Sequence, residues 1–188
     1  MSMDRDTLKS MVKDAISQKN QKLNLDEMSG FNRVNQLLMG NVPSVDHVGI
    51  MTAETPGGQP ASSAENKERN QQLMQDLRDM NLGPIPVKGR YGSMENSYLI
   101  PNITRDEIID LGMKYDQEAV IWGDRISDQD SNPFLRFQYI EGDETIQQRD
   151  VSLRGGEVQG REDFYSEKKG RKFWIPFFDD QYEDATFA

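Results

Sequence analysis

A strand, a glycine turn and a capped helix follow one another in the middle of the chain, and this order most constrains the fold. His47–Glu54 has apolar residues at its centre and reads as a strand. The letters TPGGQPASSAEN then predict a turn that leads into a helix, because Ser62 and Glu65 form a capping-box pattern. Gly83 and the proline after it predict that this helix ends near Asn81.

The segments on either side predict further helices and strands. Apolar residues at helical spacing predict two helices before Gly40, the second capped by Asn24. Another capping box, with Thr104 and Glu107, predicts a further helix. The predicted strands are Ile85–Tyr91 and Glu95–Pro101, which form a hairpin around Gly92-Ser93, and Ala119–Trp122, Phe134–Ile140, Thr145–Leu153 and Lys172–Phe178.

Together these elements predict an α+β fold in which a mostly antiparallel sheet packs against helices. The length of 188 residues fits a single domain, 1–188. Within it we expect an N-terminal helical arm at 1–40, a core at 47–123 and a strand-rich C-terminal extension at 134–178.

Composition and charge exclude several classes of protein. The formal net charge is −10, from 22 basic and 32 acidic residues, which argues against general nucleic-acid binding. There is no cysteine, so disulfides, thiolate metal sites and cysteine nucleophiles are excluded. No apolar stretch is long enough for a membrane span or a signal peptide, so we expect no membrane association and a cytoplasmic location.

The helix after the glycine turn predicts a small polar pocket. Its core-facing stripe begins with Asn66 and Asn70, and buried amides require hydrogen-bond partners. Gly57 and Gly58 allow a ligand to approach the backbone closely, and the helix N-terminus favours an anion. We therefore expect a small anionic or nucleotide-like ligand. The predicted ligand-binding residues are Thr52, Gly57, Gly58, Ser62, Glu65, Asn66, Asn70, Lys88 and Arg90.

A purely structural interpretation of the same region stays open. In it the glycine pair makes a turn, Ser62 and Glu65 cap the helix, and the two asparagines bind neighbouring backbone groups. Lys88 or Arg90 then pairs with Glu95 across the hairpin. Neither a Walker A motif nor a G-x-G-x-x-G fingerprint is present at the turn.

Three segments carry a resemblance to a known family: IMTAETPGGQPASSAENKERNQQLMQDL, IPVKGRYGSMENSYLI and LGMKYDQEAVIWG. From Ile50 to Gly123 the chain resembles the microbial family called domain of unknown function 3293. Thr55 departs from the family pattern, which has Asn there. The resemblance implies a shared core and no established activity. The matching residues are Thr52, Ala53, Pro56, Glu65, Asn66, Gly89, Glu95, Ser97, Gln117, Glu118 and Ala119.

Catalytic candidates are weaker, and the sequence does not decide whether the protein is an enzyme. Glu95 and Glu118 could act as an acid/base pair, and His47 is the single histidine. A metal-assisted hydrolase would need acidic residues such as Glu95, Asp116, Glu118 and Asp124 to converge. We predict no metal site and identify no cofactor. The calcium-loop pattern that begins at Asp128 fails, since it has Pro133 instead of Gly and Tyr139 instead of Glu.

A further alternative is an acidic interaction protein or a homo-oligomer. The net charge and the apolar run FWIPFF from Phe173 to Phe178 motivate it. These aromatic residues are expected to serve the core, and they would form an oligomer contact if they were exposed.

Overall fold

The computed structural model describes residues 30–91, 93–126, 134–151, 164–173, 175 and 177. The described helices are α1 (Gly30–Leu38), α2 (Ser63–Asp79) and α3 (Arg105–Lys114), with a short 3-10 turn at Pro56–Gly58. The described strands are β1 (His47–Thr52), β2 (Ile85–Tyr91), β3 (Ser93–Pro101), β4 (Ala119–Ile126), β5 (Phe134–Glu141), β6 (Glu144–Val151), β7 (Phe164–Lys168) and β8 (Arg171–Phe173).

The strands form one antiparallel sheet in the order β6-β5-β4-β1-β3-β2-β7-β8. Its central part, β4-β1-β3-β2, is connected by α2 after β1 and by α3 after β3. This connectivity is that of the ferredoxin-like β-α-β-β-α-β motif. The predicted α+β class with a mostly antiparallel sheet is therefore confirmed.

One face of the sheet packs against α2 and α3. Leu73 and Leu77 of α2 and Ile108 of α3 are fully buried against it. A Cβ on Gly49 of β1 would lie 2.5 Å from both Ile103 and Ile108. Glycine at this position therefore lets α3 approach β1 closely.

The sheet is curled, and its other face encloses α1. Val34 and Leu37 of α1 belong to a second buried cluster with residues from β1 to β5 and β8. Tyr139 of β5 and Phe177, which follows β8, lie with ring centroids 5.7 Å apart. β5 and β8 are nevertheless near opposite ends of the sheet order. The concave side of the sheet therefore holds a core that includes Phe173 and Phe177.

Most sequence-predicted elements are found, with one clear error in the C-terminal part. The predicted strand Lys172–Phe178 ends at Phe173, and β7 was not predicted. Lys169 and Gly170 both have positive φ, which makes a tight hairpin turn between β7 and β8. Phe173 and Phe177 are buried, as expected for core residues.

Some predictions fall outside the described residues. The first helix, the Asn24 cap and the Asp128–Pro133 loop are among them. The division into arm, core and extension stays a prediction. Within the described part of the chain, no helix combines the length and apolar character that a membrane crossing needs.

Candidate ligand-binding site

A cavity of about 250 Å³ lies where the end of β1 meets the beginnings of β3 and β4. These ends meet because β1 is antiparallel to both neighbours, with Thr52 opposite Ser97 and Ile50 opposite Ile121. The cavity opens on the sheet face that also carries α1. Its polar side chains are Thr52, Thr55, Glu95, Ser97, Gln117, Glu118 and Tyr139.

The loop after β1 borders this cavity in a strained conformation. Thr55 has φ 47° and ψ 59°, which is the left-handed region and is unusual for a β-branched residue. The backbone N–H of Thr55 donates to Asn66 Oδ1 at 3.2 Å, and that of Ala53 donates to Asn70 Oδ1 at 3.1 Å. Arg69 Nε donates to the carbonyl of Ala53 at 2.7 Å. The first turns of α2 therefore hold the loop in place.

Glu54 is a buried carboxylate behind the loop, with only 6% of its surface exposed. Its Oε1 accepts hydrogen bonds from Asn70 Nδ2 at 2.7 Å and Asn96 Nδ2 at 2.8 Å. Gln117 Nε2 donates to the backbone carbonyl of Glu54 at 3.0 Å. The amides of Asn66 and Asn70 thus have the backbone and carboxylate partners that their burial demands.

The glycine turn is occupied by the chain's own groups. The N–H of Gly57 donates to the Asp116 carbonyl at 2.6 Å, and that of Gly58 donates to the Thr55 carbonyl at 3.0 Å. A Cβ on Gly58 would overlap the Glu118 carboxylate, and one on Gly57 would lie 3.1 Å from Asp116 Oδ2. We expected an anionic ligand to approach the backbone of these glycines, but the carboxylates of Asp116 and Glu118 occupy that space instead.

Glu95 and Glu118 line the cavity in different surroundings. Glu95 is half-buried and accepts a hydrogen bond from the Thr55 hydroxyl. Burial and the nearby charge of Glu54 raise the pKa of Glu95, and the bond from Thr55 partly offsets them. Glu118 is exposed at the cavity mouth against Gly58. Burial, together with the charges of Glu141 and Glu118, raises the pKa of Tyr139.

Lys88 and Arg90 lie away from this cavity. The hairpin register places Gly89 opposite Glu95, while Lys88 is opposite Asn96 and Arg90 is opposite Met94. Because side chains alternate along a strand, both cations are on the other face from Glu95. The expected pairing of Lys88 or Arg90 with Glu95 is therefore wrong. On its other side Lys88 is in register with Glu167 of β7.

The remaining predicted residues are also separated from the cavity. Ser62 and Glu65 are exposed at the start of α2, where Ser62 Oγ accepts from the Glu65 N–H at 3.2 Å. His47 is at the opposite end of β1 from Thr52, about 17 Å away at the usual rise of a strand.

His47 is held in a structural environment. Its Nδ1 lies 3.3 Å from Asp124 Oδ1, and its ring stacks on Trp122 at a centroid distance of 5.2 Å. Because Asp124 is in register with His47, it lies at the far end of β1 from Thr52 and away from Glu95 and Glu118. In the part of the chain that the structure describes, no three His, Asp or Glu side chains are grouped to hold a metal ion.

Thr55 and Tyr139 line the candidate site and Glu54 supports its loop, but none of the three is among the residues predicted from the sequence. Thr55 was noted only as a departure from the family pattern, and Tyr139 only as part of a failed calcium loop. Their positions depend on the register of β1, β4 and β5, which pairs Ile121 with Tyr139. The sequence predicted a strand at Phe134–Ile140, but it did not show which strand pairs with it.

Comparison with known families supports the resemblance seen in the sequence. Several residues that carry this resemblance meet at the cavity: Thr52, Glu95, Ser97, Gln117, Glu118 and Ala119. A search of curated proteins gave no match to the chain. Residues 51–120, which contain these six, match the model of the family described as Protein of unknown function (DUF3293), so the chain is similar to that family over this segment.

Proposed function

We propose that this protein binds a small molecule in the cavity between β1, β3 and β4, with Glu95 and Glu118 among the groups that contact it. The observation that carries the proposal is a hydroxyl in the cavity wall that makes no hydrogen bond to any described residue. Ser97 is only 7% exposed, and its hydroxyl forms no hydrogen bond with any described residue. This hydroxyl is therefore available to bond to a water or a ligand in the cavity, as polar groups of largely buried residues usually do.

The strained loop supports the same proposal. A β-branched residue in the left-handed region costs on the order of 1–3 kcal/mol, and such strain is concentrated at functional sites. Thr55 carries this strain, and its hydroxyl reaches Glu95 inside the cavity. Glu95 itself is an ionisable group in a desolvating position, which is another common feature of binding and catalytic sites.

The chemistry of the cavity argues against the anionic ligand that the sequence suggested. Two carboxylates line the cavity, and no Lys or Arg is among its described lining residues. The N–H groups of Gly57 and Gly58 already donate to backbone carbonyls. The proposed ligand therefore presents hydrogen-bond donors.

A thermal-shift comparison tests the proposal. The probes are isobutylamine, isobutanol and isobutyrate, which share one apolar body and differ in their polar group. We expect at least one of them to raise Tm of the wild type, because a ligand of the folded state stabilises it. The shift should be lost in Ser97→Ala with Glu118→Gln and kept in the matched control Glu68→Gln, which alters an exposed glutamate of α2. Equal shifts in all variants would contradict binding in this cavity.

Carboxylate-dependent catalysis is a second candidate function. It is favoured by one observation, the presence of Glu95 and Glu118 in the same cavity but in different environments. Pairs of carboxylates whose environments separate their pKa values supply a general acid and a general base. The test is hydrolysis of a panel of p-nitrophenyl esters and glycosides. Activity that Glu95→Gln and Glu118→Gln each abolish would support it.

The interaction-protein alternative has less support. Phe173 and Phe177 are buried, so they are not available as an oligomer contact. A cytoplasmic location and a homo-oligomer remain proposals, for which fractionation of cells and size-exclusion chromatography with light scattering are the tests.

A further inference from the structure

We infer that the ligand of this cavity is a small organic cation, with a protonated amine at Glu95 and Glu118 and a short apolar body on Ile50 and Ile121. The inference rests on the proposed function, because it names the chemical class of the molecule that the cavity binds. It follows from the hydrogen-bond capacity, the charge, the shape and the proton linkage of the site.

The polar groups of the cavity that remain open are mostly acceptors. The Thr52 hydroxyl donates to the Asn96 carbonyl at 2.8 Å, and the Thr55 hydroxyl donates to Glu95. Gln117 Nε2 donates to the carbonyls of Glu54 and Tyr115, each at 3.0 Å. Ionised carboxylates accept and never donate. A ligand that presents several N–H donors therefore matches these open groups better than one that presents acceptors.

Negative charge surrounds the site on several sides. Glu95 and Glu118 line the cavity, buried Glu54 acts on Glu95 from behind, and Asp116 lies against Gly57. The side chain of Arg69 reaches this loop, and it donates to the backbone carbonyls of Ala53 and Tyr115. An ammonium group would offset the mutual repulsion of the carboxylates, and attraction is strongest where water is partly excluded.

The shape of the cavity limits the size of the cation. The space in the cavity that is open to a water-sized molecule is about 250 Å³. Ile50, Ile121 and Ala119 provide apolar surface beside the carboxylates. This space fits an amine with a few carbon atoms.

Proton linkage distinguishes a cation from a neutral ligand. Burial raises the pKa of Glu95, and an ammonium ion prefers the ionised carboxylate, so its binding lowers that pKa. The groups that face Glu95 or share its cavity are Glu54, Thr55, Glu118 and Tyr139. An alkylamine stays protonated throughout the acidic and neutral range. Its affinity should therefore rise as the pH rises through the pKa of Glu95, and the affinity of an alcohol should not.

Calorimetric or NMR titration of the full chain with isobutylamine, isobutanol and isobutyrate tests this inference. We expect isobutylamine to bind at least about tenfold more tightly than isobutanol, since a hydrogen bond to a charged group contributes more than one between neutral groups. Glu118→Gln should lower the affinity for isobutylamine by a similar factor and leave the affinity for isobutanol nearly unchanged. The matched control Glu68→Gln should change neither affinity.

The possible failures are distinguishable. If isobutanol or isobutyrate binds in the cavity as tightly as the amine, the cationic class is wrong and the proposed function stands. An amine affinity that is independent of pH through the titration of Glu95 would also overturn the class. If none of the three perturbs the resonances of Ser97 and Ala119 in the cavity wall, both the class and the proposed function fail.

Discussion

The hydroxyl of Thr55 donates a hydrogen bond to the carboxylate of Glu95, although the two residues are 40 positions apart in the chain. Thr55 can do so because its backbone is left-handed and because Asn66 holds its N–H. The bond joins the loop after β1 to the first half of β3, on which Glu95 lies. It fixes one carboxylate oxygen and so determines how Glu95 presents the other to the cavity.

Removal of the Thr55 hydroxyl should raise the pKa of Glu95. The hydrogen bond favours the ionised carboxylate and partly offsets burial, so Thr55→Val leaves burial and the charge of Glu54 to act alone. Thr55→Ser keeps the hydroxyl and should restore a pKa close to that of the wild type. Carboxyl ¹³C chemical shifts followed against pH measure both. An unchanged pKa in the valine variant would show that this bond has no role in tuning Glu95.

Replacement of Glu95 by glutamine should increase stability at neutral pH. The pKa of Glu95 is higher in the folded state than its ordinary value of 4.5, so the folded state loses stability as the pH rises through that pKa. Glutamine cannot ionise, and it can still accept the bond from Thr55. We expect Glu95→Gln to have the higher Tm at neutral pH and the difference to vanish below pH 4.5. A glutamine variant that is less stable at neutral pH contradicts this sign.

Asn70 should contribute more to stability than Asn66. Asn70→Ala leaves the Ala53 N–H without its acceptor and removes one of the two amides that donate to the buried Glu54 carboxylate, which costs about 2–3 kcal/mol. Asn66 is half-buried, and its side chain accepts the bond from Thr55, so Asn66→Ala should cost about 1 kcal/mol. Urea denaturation measures both values. Equal losses would mean that burial of Glu54 does not determine the cost.

Replacement of Gly58 by alanine should destabilise the fold. Gly58 has φ 68°, which strains any other residue, and a Cβ there would also displace the Glu118 carboxylate, so Gly58→Ala should cost about 1 kcal/mol or more. Gly83→Ala is the matched control, because nothing lies within 4 Å of its Cβ position. We expect the control substitution to leave the free energy of unfolding in urea unchanged. Similar losses at both positions would argue against a specific role for the turn.

Asp76 should make stability depend on pH in acid. Lys114 Nζ lies 2.6 Å and Tyr115 Oη 2.5 Å from its carboxylate. Burial raises the pKa of Asp76, but the bonds from these residues lower it more, so the net pKa is below the ordinary 3.8. The resulting stabilisation is complete above that value and is lost as the pH falls through the folded-state pKa.

We therefore expect Asp76→Asn to be destabilised by about 1–3 kcal/mol at neutral pH and to converge with the wild type at strongly acidic pH. Urea denaturation at several pH values measures this difference. A difference that stays constant down to strongly acidic pH would exclude titration of Asp76 as its cause.

The sequence predicted local structure well where capping and turn residues determine it. The N-cap residues Ser62 and Thr104 and the turn between β2 and β3 placed the two long helices and the hairpin correctly. These signals are local, since the donor and the acceptor are a few residues apart.

The cavity was harder to predict because it depends on long-range register. Glu95 faces the cavity, whereas Lys88 and Arg90 do not, and a shift of one residue in β2 would reverse this relation. Sequence patterns show that the residues of a strand alternate but not which neighbour each residue faces. The charge of the site was misjudged for a similar reason, since Asp116 and Glu118 reach the glycine turn from another part of the chain.

The most direct test of ligand binding in this cavity is a backbone NMR titration of the full chain with isobutylamine. The account predicts saturable shifts of the amide resonances at Thr52, Thr55, Ser97 and Glu118, with distant sites such as His47 unchanged. Saturable shifts elsewhere on the chain, or none at these positions with any of the three isobutyl probes, would contradict it.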